Sequence, residues 1–458
     1  MKYVFESVVK FDQKCYDKFL LSEDILMEHA ANEMASYIKA NFENNKKILI
    51  VCGSGNNGAD GIALGRILHL DYCVKVLLVK YPKTTIGHLQ LERAKAVGVE
   101  FLEQFEEADI IVDCILGSGQ KGVLDTTMEN LVNKMNFSAG FKIACDIPTG
   151  LGISKNPFCA NVTITMGGLK QILFEDDSKD LVGKIIVANL GLSEKIYQEK
   201  SNIQLLEAVD IKLPIRTKKN SHKGDYGHLC VIAGEKKGAA ILSANSAINF
   251  GVGLVSLVSH EAFEVSPILM TSHFIPKNTT AICLGMGLGL DFEDSEIDAI
   301  LAFDCKKVID ADMFYNSKIL TILNSDVVLT PHPKEFASLL KITDLALVNH
   351  ETVSKNRFFY ANLFAKKFPN CVLVLKGSNT LICQGDQIWI NPFGSQALAK
   401  GGSGDILAGL IGALLAQKYT SIDAAINGSL ALSLASMKYD KNNYSMTPMD
   451  LIHLIKEL

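Results

Sequence analysis

Short runs of β-branched and other apolar residues alternate with longer stretches of helical spacing along this whole chain, and that rhythm constrains the fold more than any other feature. In the first half the runs are KILIVCG, CVKVLLV, ADIIVDCIL, FKIACDIP, NVTITM and KIIVANLG; the second half restarts with GHLCVIAG, GLVSLVS, TAICLGMG, KKVIDAD, DVVLTPH and NCVLVLKGS. Strands separated by helices cannot pair as tight hairpins, so each crosses a sheet face to reach a parallel neighbour. The class is therefore α/β, with parallel sheets covered by helices. At 458 residues the chain exceeds what one core supports. The stretch EAVDIKLPIRTKKNSHKGDYG, polar and interrupted by Pro214, separates the halves. Two domains are expected, 1–206 and 207–458, with the seam near Glu207. Ahead of the first strand, LLSEDILMEHAANEMASYIKANF has the spacing of an amphipathic helix, with Ser22 as N-cap and Asp24 in the first turn.

Several function classes are disfavoured at once. Net charge is −5 and the densest basic segment is only RTKKNSHKGD, so polynucleotide binding is not expected. The longest apolar stretch, GDILAGLIGALLAQ, is broken by glycines and too short to span a bilayer. The start lacks the apolar core of a signal peptide, which makes the cytoplasm the expected compartment. None of the 11 cysteines forms a CxxC pair and most sit in apolar runs, so they read as reduced core residues.

In open parallel sheets ligands bind where strands end and helices begin. After KILIV comes CGSGNNGADG, in which Gly53, Gly55 and Gly58 permit a sharp turn and close backbone approach to a ligand, while DGIALGRIL opens a helix whose start favours anions. Two readings stand: a loop for a nucleotide-like ligand, or a glycine turn serving strand-to-helix packing alone. The dinucleotide fingerprint is incomplete, because no acid closes CVKVLLVKYP. The amides of Asn56 and Asn57, at a loop apex, want partners. Asp113, Asp146 and Thr149 offer oxygens at other strand ends, and together they describe a site for a hard cation unless the acids merely cap turns.

GSGNNGADG, VDCILGSGQKG, DIPTG and TMGGLKQIL resemble the NAD(P)H-hydrate epimerase domain, over roughly residues 1–206. The resemblance implies a Rossmann-like three-layer αβα domain. It also implies that Asn56, Asn57, Gly58, Ala59 and Asp60 line a hydrated nicotinamide nucleotide, NAD(P)HX, with Gly117, Ser118, Gly119, Gln120, Lys121, Gly122 and Val123, and that Asp146 contacts it. Asn57, Asp113 and Thr149 would hold K+. Ala59 and Thr149 depart from the family's usual glycine and serine; Ala59 requires a negative φ. Inverting a hydroxyl-bearing carbon beside a ring nitrogen needs a proton donor and an acceptor. Asp146 and Lys170 are the candidates, with burial and opposite charge expected to bring them toward neutrality; for Lys170 a solvent-exposed position after a strand is equally open.

The second half carries the more specific stretch, NPFGSQALAKGGSGDILAGLIGALLA. Gly401, Gly402 and Gly404 let consecutive N–H groups face one anion at a helix start. Asp405 beside such an anion hole is a general-base candidate, or else an ordinary first-turn acid. VLKGSNT adds Lys376, Gly377, Ser378, Asn379 and Thr380, suited to a nucleotide's phosphates and ribose. The GxGD turn resembles the ribokinase-like αβα fold. SHKGDYGHLCVIAGEKKGAAILSANSAINFGVGLV, LGMGLG, IDADMF and TPHPKEF resemble the ADP-dependent NAD(P)H-hydrate dehydratase over 207–458. That implies substrate contacts at Ala239, Gly287, His332 and Asp405 and nucleotide contacts at Lys376 to Thr380 and Gly404. His332 could instead be a satisfied loop histidine. Glu335 could organise Mg2+ through water or simply begin a helix. Methionine in LGMGLG, where proline is commoner, is expected to soften that loop.

The implied activity is repair of NAD(P)HX: R and S forms interconverted by one domain, and S dehydrated by the other at the expense of ADP, with AMP and phosphate released. ADP as donor comes from the resemblance alone. The partners are these small molecules, and a homo-oligomer is expected. An alternative is a ribokinase-like kinase of a vitamin-like alcohol with a non-catalytic N-terminal module.

Overall fold

The computed structural model describes residues 1–120 and 122–458. The chain divides into two compact units, Tyr3–Ser201 and, together with Met1–Lys2, Asn202–Leu458. The change of unit falls a few residues before the polar seam because Ile203–Leu205 already pairs in parallel with Gln387–Asn391, Ile203 opposite Ile388. The helix Glu23–Asn41 begins where its sequence indicates: Ser22 Oγ accepts from the Ile25 N–H at 3.4 Å and Asp24 lies in the first turn.

The sheet of the first unit has the spatial order Glu100–Leu102, Cys73–Leu78, Lys47–Cys52, Ile110–Cys114, Phe141–Cys145, Val162–Met166, Lys184–Ala188, all parallel. The chain runs from Lys47–Cys52 outward to one edge, then resumes at Ile110–Cys114 on the other side. The order therefore reverses between these two strands, and their carboxyl ends open a crevice. Alternate residues separate cleanly into two cores: Ile48, Ile50, Val112 and Cys114 pack with the apolar face of Glu23–Asn41, whereas Leu49, Val51 and Ile111 pack with Met128, Val132 and Met135 of Thr126–Phe137. Helices cover both faces, giving three layers.

The second unit repeats the plan with a longer sheet: Met270–Ser272, Leu254–Val258, His228–Ile232, Ala281–Leu284, Lys306–Ile309, Val327–Leu329, Val372–Leu375, Thr380–Gln384, Gln387–Asn391, Ile203–Leu205. Its reversal lies between His228–Ile232 and Ala281–Leu284. The hairpin Thr380–Gln384/Gln387–Asn391 is antiparallel and adds strands that the apolar rhythm does not mark. Val372 and Val374 join the core under helices Ser403–Ala416 and Ser421–Met437, while Leu373 and Leu375 are equally buried on the other face. Met286 is wholly buried in that core, so LGMGLG is anchored by its methionine, not softened by it. Of the 11 cysteines eight are buried, and all are free thiols. No helix among the described residues is long and apolar enough to cross a membrane.

The helix that bears Asp405 is held by a close crossing with Lys237–Asn249. Ser246 Oγ donates to the carbonyls of Ser243 and Ile406, at 2.8 and 3.1 Å, and a Cβ on Gly409 would stand 2.1 Å from both Ser243 O and Ser246 Oγ. Gly409→Ala gains roughly 1 kcal/mol of helix propensity, but overpacking against backbone costs roughly 1–3 kcal/mol or more. Thermal unfolding of this variant should show a net loss of a few degrees; an unchanged or raised melting temperature would show that the two helices can part freely.

Candidate active sites

In the first unit the helix Asn56–Leu68 begins four residues earlier than DGIALGRIL suggests, so Asn56, Asn57, Gly58, Ala59 and Asp60 form its first turns and not a loop apex. The glycines answer to packing. A Cβ on Gly53 would lie 2.0 Å from Ile115 O, and one on Gly58 would lie 2.0 Å from Gly53 O; both contacts are with backbone that cannot yield. Ala59 has helical backbone, meeting its requirement for negative φ, but its methyl is buried against Met27 and Ile86 and adds nothing to a ligand surface. Asn56 Nδ2 donates to Glu23 Oε1 at 2.5 Å.

Asn57 is different. Both its amide oxygen and its amide nitrogen are buried without a hydrogen-bond partner among the described residues. An ideal Cβ on Gly117 would sit 3.1 Å from Asn57 Oδ1 and 3.0 Å from Asp146 Oδ2, so the three residues converge. The same strand-end segment brings in the other oxygens. Asp113, wholly buried, accepts from the Thr149 N–H (2.7 Å), the Thr149 hydroxyl (2.7 Å) and the Ile115 N–H (3.1 Å). Leu116 N–H donates to Thr149 Oγ1 at 3.0 Å. Burial, only partly offset by these neutral donors, pushes the Asp113 carboxyl up to about 6. A buried acid short of positive charge and an amide oxygen without a donor among the described residues are features that a cation would satisfy.

Asp146 follows Phe141–Cys145 with φ of 68°, left-handed for a residue with a side chain. Its Oδ1 accepts from Lys170 Nζ at 2.6 Å and from the Met166 N–H at 3.2 Å; Oδ2 accepts from the Ser118 N–H at 2.9 Å. Lys170 is 1% exposed, which excludes the solvent-facing alternative. Its ammonium also donates to Thr165 Oγ1 (2.9 Å) and Met166 O (3.0 Å), so three protein acceptors use its three N–H bonds. Lys170 is thereby a counter-ion that positions Asp146. The expected drift of Asp146 toward neutrality is also corrected: burial works against its charge, but the Lys170 ammonium and the N–H donors hold its carboxyl below the usual range. Asp60 goes the opposite way. Three residues beyond Asn57, it is half-buried and unpaired among the described residues, and burial, then the charges of Asp146, Asp12 and Glu23, push it well above the usual carboxylate range. Asp12 spends itself on the Tyr197 hydroxyl, at 2.7 Å.

The second unit builds a parallel constellation. Gly402, at φ 100°, turns the chain into Ser403–Ala416 with Asp405 in the first turn. Lys376 Nζ, after Val372–Leu375, lies 2.9 Å from Asp310 Oδ1 and 3.7 Å from Glu335 Oε2. An ideal Cβ on Gly404 would stand 3.5 Å from that ammonium and 3.8 Å from Asp310 Oδ2. Asp310, 2% exposed, also accepts from Thr330 Oγ1 at 2.8 Å. Burial opposes the charge of Lys376, but Asp310 and Glu335 outweigh it and raise its pKa. Asp405 has no such partner: burial first, and the Asp310 charge second, push its carboxyl up to about 6.

Two protein-family models match the chain, one described as NAD(P)H-hydrate dehydratase over residues 229–457 and one as YjeF-related protein N-terminus over 23–172. The chain is 44% identical over 470 residues to the bifunctional NAD(P)H-hydrate repair enzyme of Helicobacter pylori, covering 99% of each. It belongs to the family of bifunctional NAD(P)H-hydrate repair enzymes. The repair enzyme of Dictyoglomus turgidum is 29% identical over 503 residues, covering 98% of this chain and 96% of its own. Among solved structures, the ADP/ATP-dependent NAD(P)H-hydrate dehydratase of Bacillus subtilis, co-crystallised with ATP and Mg2+, covers 56% of this chain and 98% of its own at 25% identity, with a TM-score of 0.46.

In this member of the repair-enzyme family the remaining expected residues sort as follows. Ser118, Gly119, Gly122 and Val123 are exposed along the loop after Ile110–Cys114; Lys121 lies outside the described residues. Gln120 is engaged at both ends of its amide, donating to Leu151 O and accepting from the Gly150 N–H, each at 3.0 Å. Ala239 and Gly287 adjoin at the reversal point of the second sheet, an ideal Gly287 Cβ lying 3.2 Å from Ala239 Cβ. Gly377 and Ser378 are exposed, Thr380 is half-buried, and Asn379 is 1% exposed, its side chain inside. His332 proves to be a helix cap. Its Nδ1 accepts from the N–H groups of Lys334 (3.1 Å) and Glu335 (3.2 Å), and burial and the Lys376 charge keep it neutral by lowering its pKa. Glu335 completes the box by accepting from the His332 N–H at 2.7 Å, so it begins a helix. Among the described residues no cluster of His, Cys, Asp and Glu suits a metal ion. Sequence reasoning quoted IDADMF but gave no role to its Asp310, the acid ending the KKVI strand, and passed over Arg357, which no motif marks.

An Asp405 carboxyl at about 6 in the folded chain, against 3.8 unperturbed, must be ionised at neutral pH at a cost to folding. The folded state holds the extra proton between these values, so that cost appears as pH rises from about 4 to 6 and stays constant above. Asp405→Asn should therefore stabilise the second unit at pH 7.5 by an amount on the order of 2 kcal/mol, and the gain should vanish near pH 4. Melting curves at the two pH values check this; a variant less stable at pH 7.5 would contradict it.

Proposed function

We infer that the chain repairs hydrated nicotinamide nucleotides: the first unit interconverts the R and S hydrates of NAD(P)H and the second dehydrates the S form at the expense of ADP, releasing AMP and phosphate. The observation that carries this reading is a relative of that activity matched over 99% of both chains, across both units. A kinase with an inert N-terminal module is not favoured, since the first unit retains a buried Lys170–Asp146 pair and an unpaired Asp60 at its crevice.

In the first unit the hydroxyl stands on a carbon beside the ring nitrogen. Asp60, whose proton burial and the neighbouring acids favour, gives it to that hydroxyl; water leaves with the C–O electron pair as the nitrogen lone pair forms the iminium. Water then adds to the opposite face and yields a proton to Asp146, the group held anionic by Lys170. The proton returns to Asp60 through solvent. Asn57, Asp113 and Thr149 would hold K+, supported by the partnerless Asn57 amide, and the ion would supply positive charge to a buried carboxylate.

In the second unit Asp405 takes the proton of the substrate hydroxyl as its oxygen attacks the terminal phosphorus of ADP and the bond to AMP breaks. Phosphate then leaves the ring carbon and the neighbouring carbon gives up a proton to it, restoring the dihydronicotinamide. Lys376, Gly377, Ser378, Thr380 and Gly404 would hold the nucleotide, whose phosphates are the fitting carrier for Mg2+, because Glu335 and Asp310 are already spent on neighbours. Ala239 and Gly287 would contact the substrate at the reversal point of the sheet.

The two activities should separate by substitution. Asp405→Asn should lower ADP-dependent recovery of dihydronicotinamide absorbance by about 10²-fold or more while R and S hydrates still interconvert; Asp146→Asn should do the reverse. Undiminished recovery in the first variant, or a stable phosphorylated alcohol as product, would reject the reading.

A further inference from the structure

Arg357 is, by volume, the largest wholly buried side chain among the described residues, 0% exposed at the start of helix Arg357–Lys367. Its guanidinium spans a turn. One terminal nitrogen donates to Asn379 O and the other to Leu375 O, each at 2.8 Å. These two carbonyls flank Lys376, Gly377 and Ser378, where the parallel strand Val372–Leu375 gives way to the antiparallel Thr380–Gln384. The Lys376 N–H is fixed in turn by Pro331 O at 2.9 Å, and its ammonium reaches Asp310 at 2.9 Å beside Gly404.

Filling space between a helix and a sheet needs only an apolar side chain, whereas burying a guanidinium is costly unless its donors are met. A planar fork that meets two carbonyls at once is what arginine offers and lysine does not. We propose that Arg357 is a positioning residue for the second unit's reaction: it locks both ends of the 376–379 turn so that Lys376 meets the phosphates of a nucleoside diphosphate. The inference rests on the assignment of residues 376–380 to the nucleotide.

The full chain carrying Arg357→Lys is compared with Lys376→Met in steady-state dehydration, varying ADP and S-hydrate separately. Arg357→Lys should raise the KM for ADP at least about tenfold, since one of two charged hydrogen bonds is lost, leave the KM for S-hydrate within about twofold, and leave R/S interconversion unchanged. Both KM values unmoved, or both raised together, would overturn the positioning role. A raised ADP KM in Lys376→Met but not in Arg357→Lys overturns the clamp alone; no change in either variant removes the nucleotide assignment as well. Should the lysine variant fail to fold, hydrogen exchange on the unsubstituted chain decides. Saturating ADP should slow exchange at residues 376–380 and also at the start of Arg357–Lys367; protection confined to the turn would overturn the inference.

Discussion

A lysine ammonium paired with a buried aspartate, at the carboxyl end of a parallel sheet, is the interaction on which each unit's chemistry depends. In the first unit it is Lys170 with Asp146 at 2.6 Å; in the second it is Lys376 with Asp310 at 2.9 Å. Removing one member of a buried pair costs roughly 3–5 kcal/mol, because the other is left charged and alone. Each pair therefore holds its members together, and what it leaves out becomes decisive. Asp405 sits in the first turn of a glycine-led helix and Asp60 in the second turn of another, each near such a pair and, among the described residues, each without an ion-pair partner of its own.

A helix start should favour ionised aspartate by roughly 0.3–1 kcal/mol. At Asp405 that benefit loses. Its carboxyl at about 6 lies some two units above 3.8, a net bias toward the proton of about 3 kcal/mol from burial and the neighbouring Asp310 charge. Burial and neighbouring acids likewise raise the proton affinity of Asp60, while the Lys170 ammonium and N–H donors lower that of Asp146 against burial. In the proposed function, one architecture would thus supply an acid–base couple for inversion in the first unit and, in the second, a general base whose proton affinity lies nearer neutrality than an ordinary aspartate's.

Much of this was legible in the residues. The apolar rhythm fixes two α/β units, and strand-end reasoning leads to Asn57, Asp113, Asp146, Thr149 and Asp405 because parallel sheets concentrate function there. The remainder depends on contacts between distant segments. The register that turns Lys170 inward comes from pairing Leu169 with Val4, which no local pattern encodes. Asp310 looks like any acid closing a strand until Lys376, 66 positions on, meets it. His332 and Glu335 carry the S/T-x-x-E logic of a capping box with histidine in the cap, so the motif was disguised. Arg357 lies in KNRFF, where burial of a guanidinium is invisible without the turn that it spans.

The central claim is that the Asp310 charge helps set the proton affinity of Asp405. It is tested most directly by the pH dependence of kcat/KM for ADP-dependent dehydration in the unsubstituted chain and in Asp310→Asn. The account predicts activity that falls below a midpoint near pH 6 in the former, as the base becomes protonated, and a midpoint displaced to lower pH in the latter, where Lys376 is left uncompensated beside Asp405. An acid limb that does not move between the two proteins would contradict it.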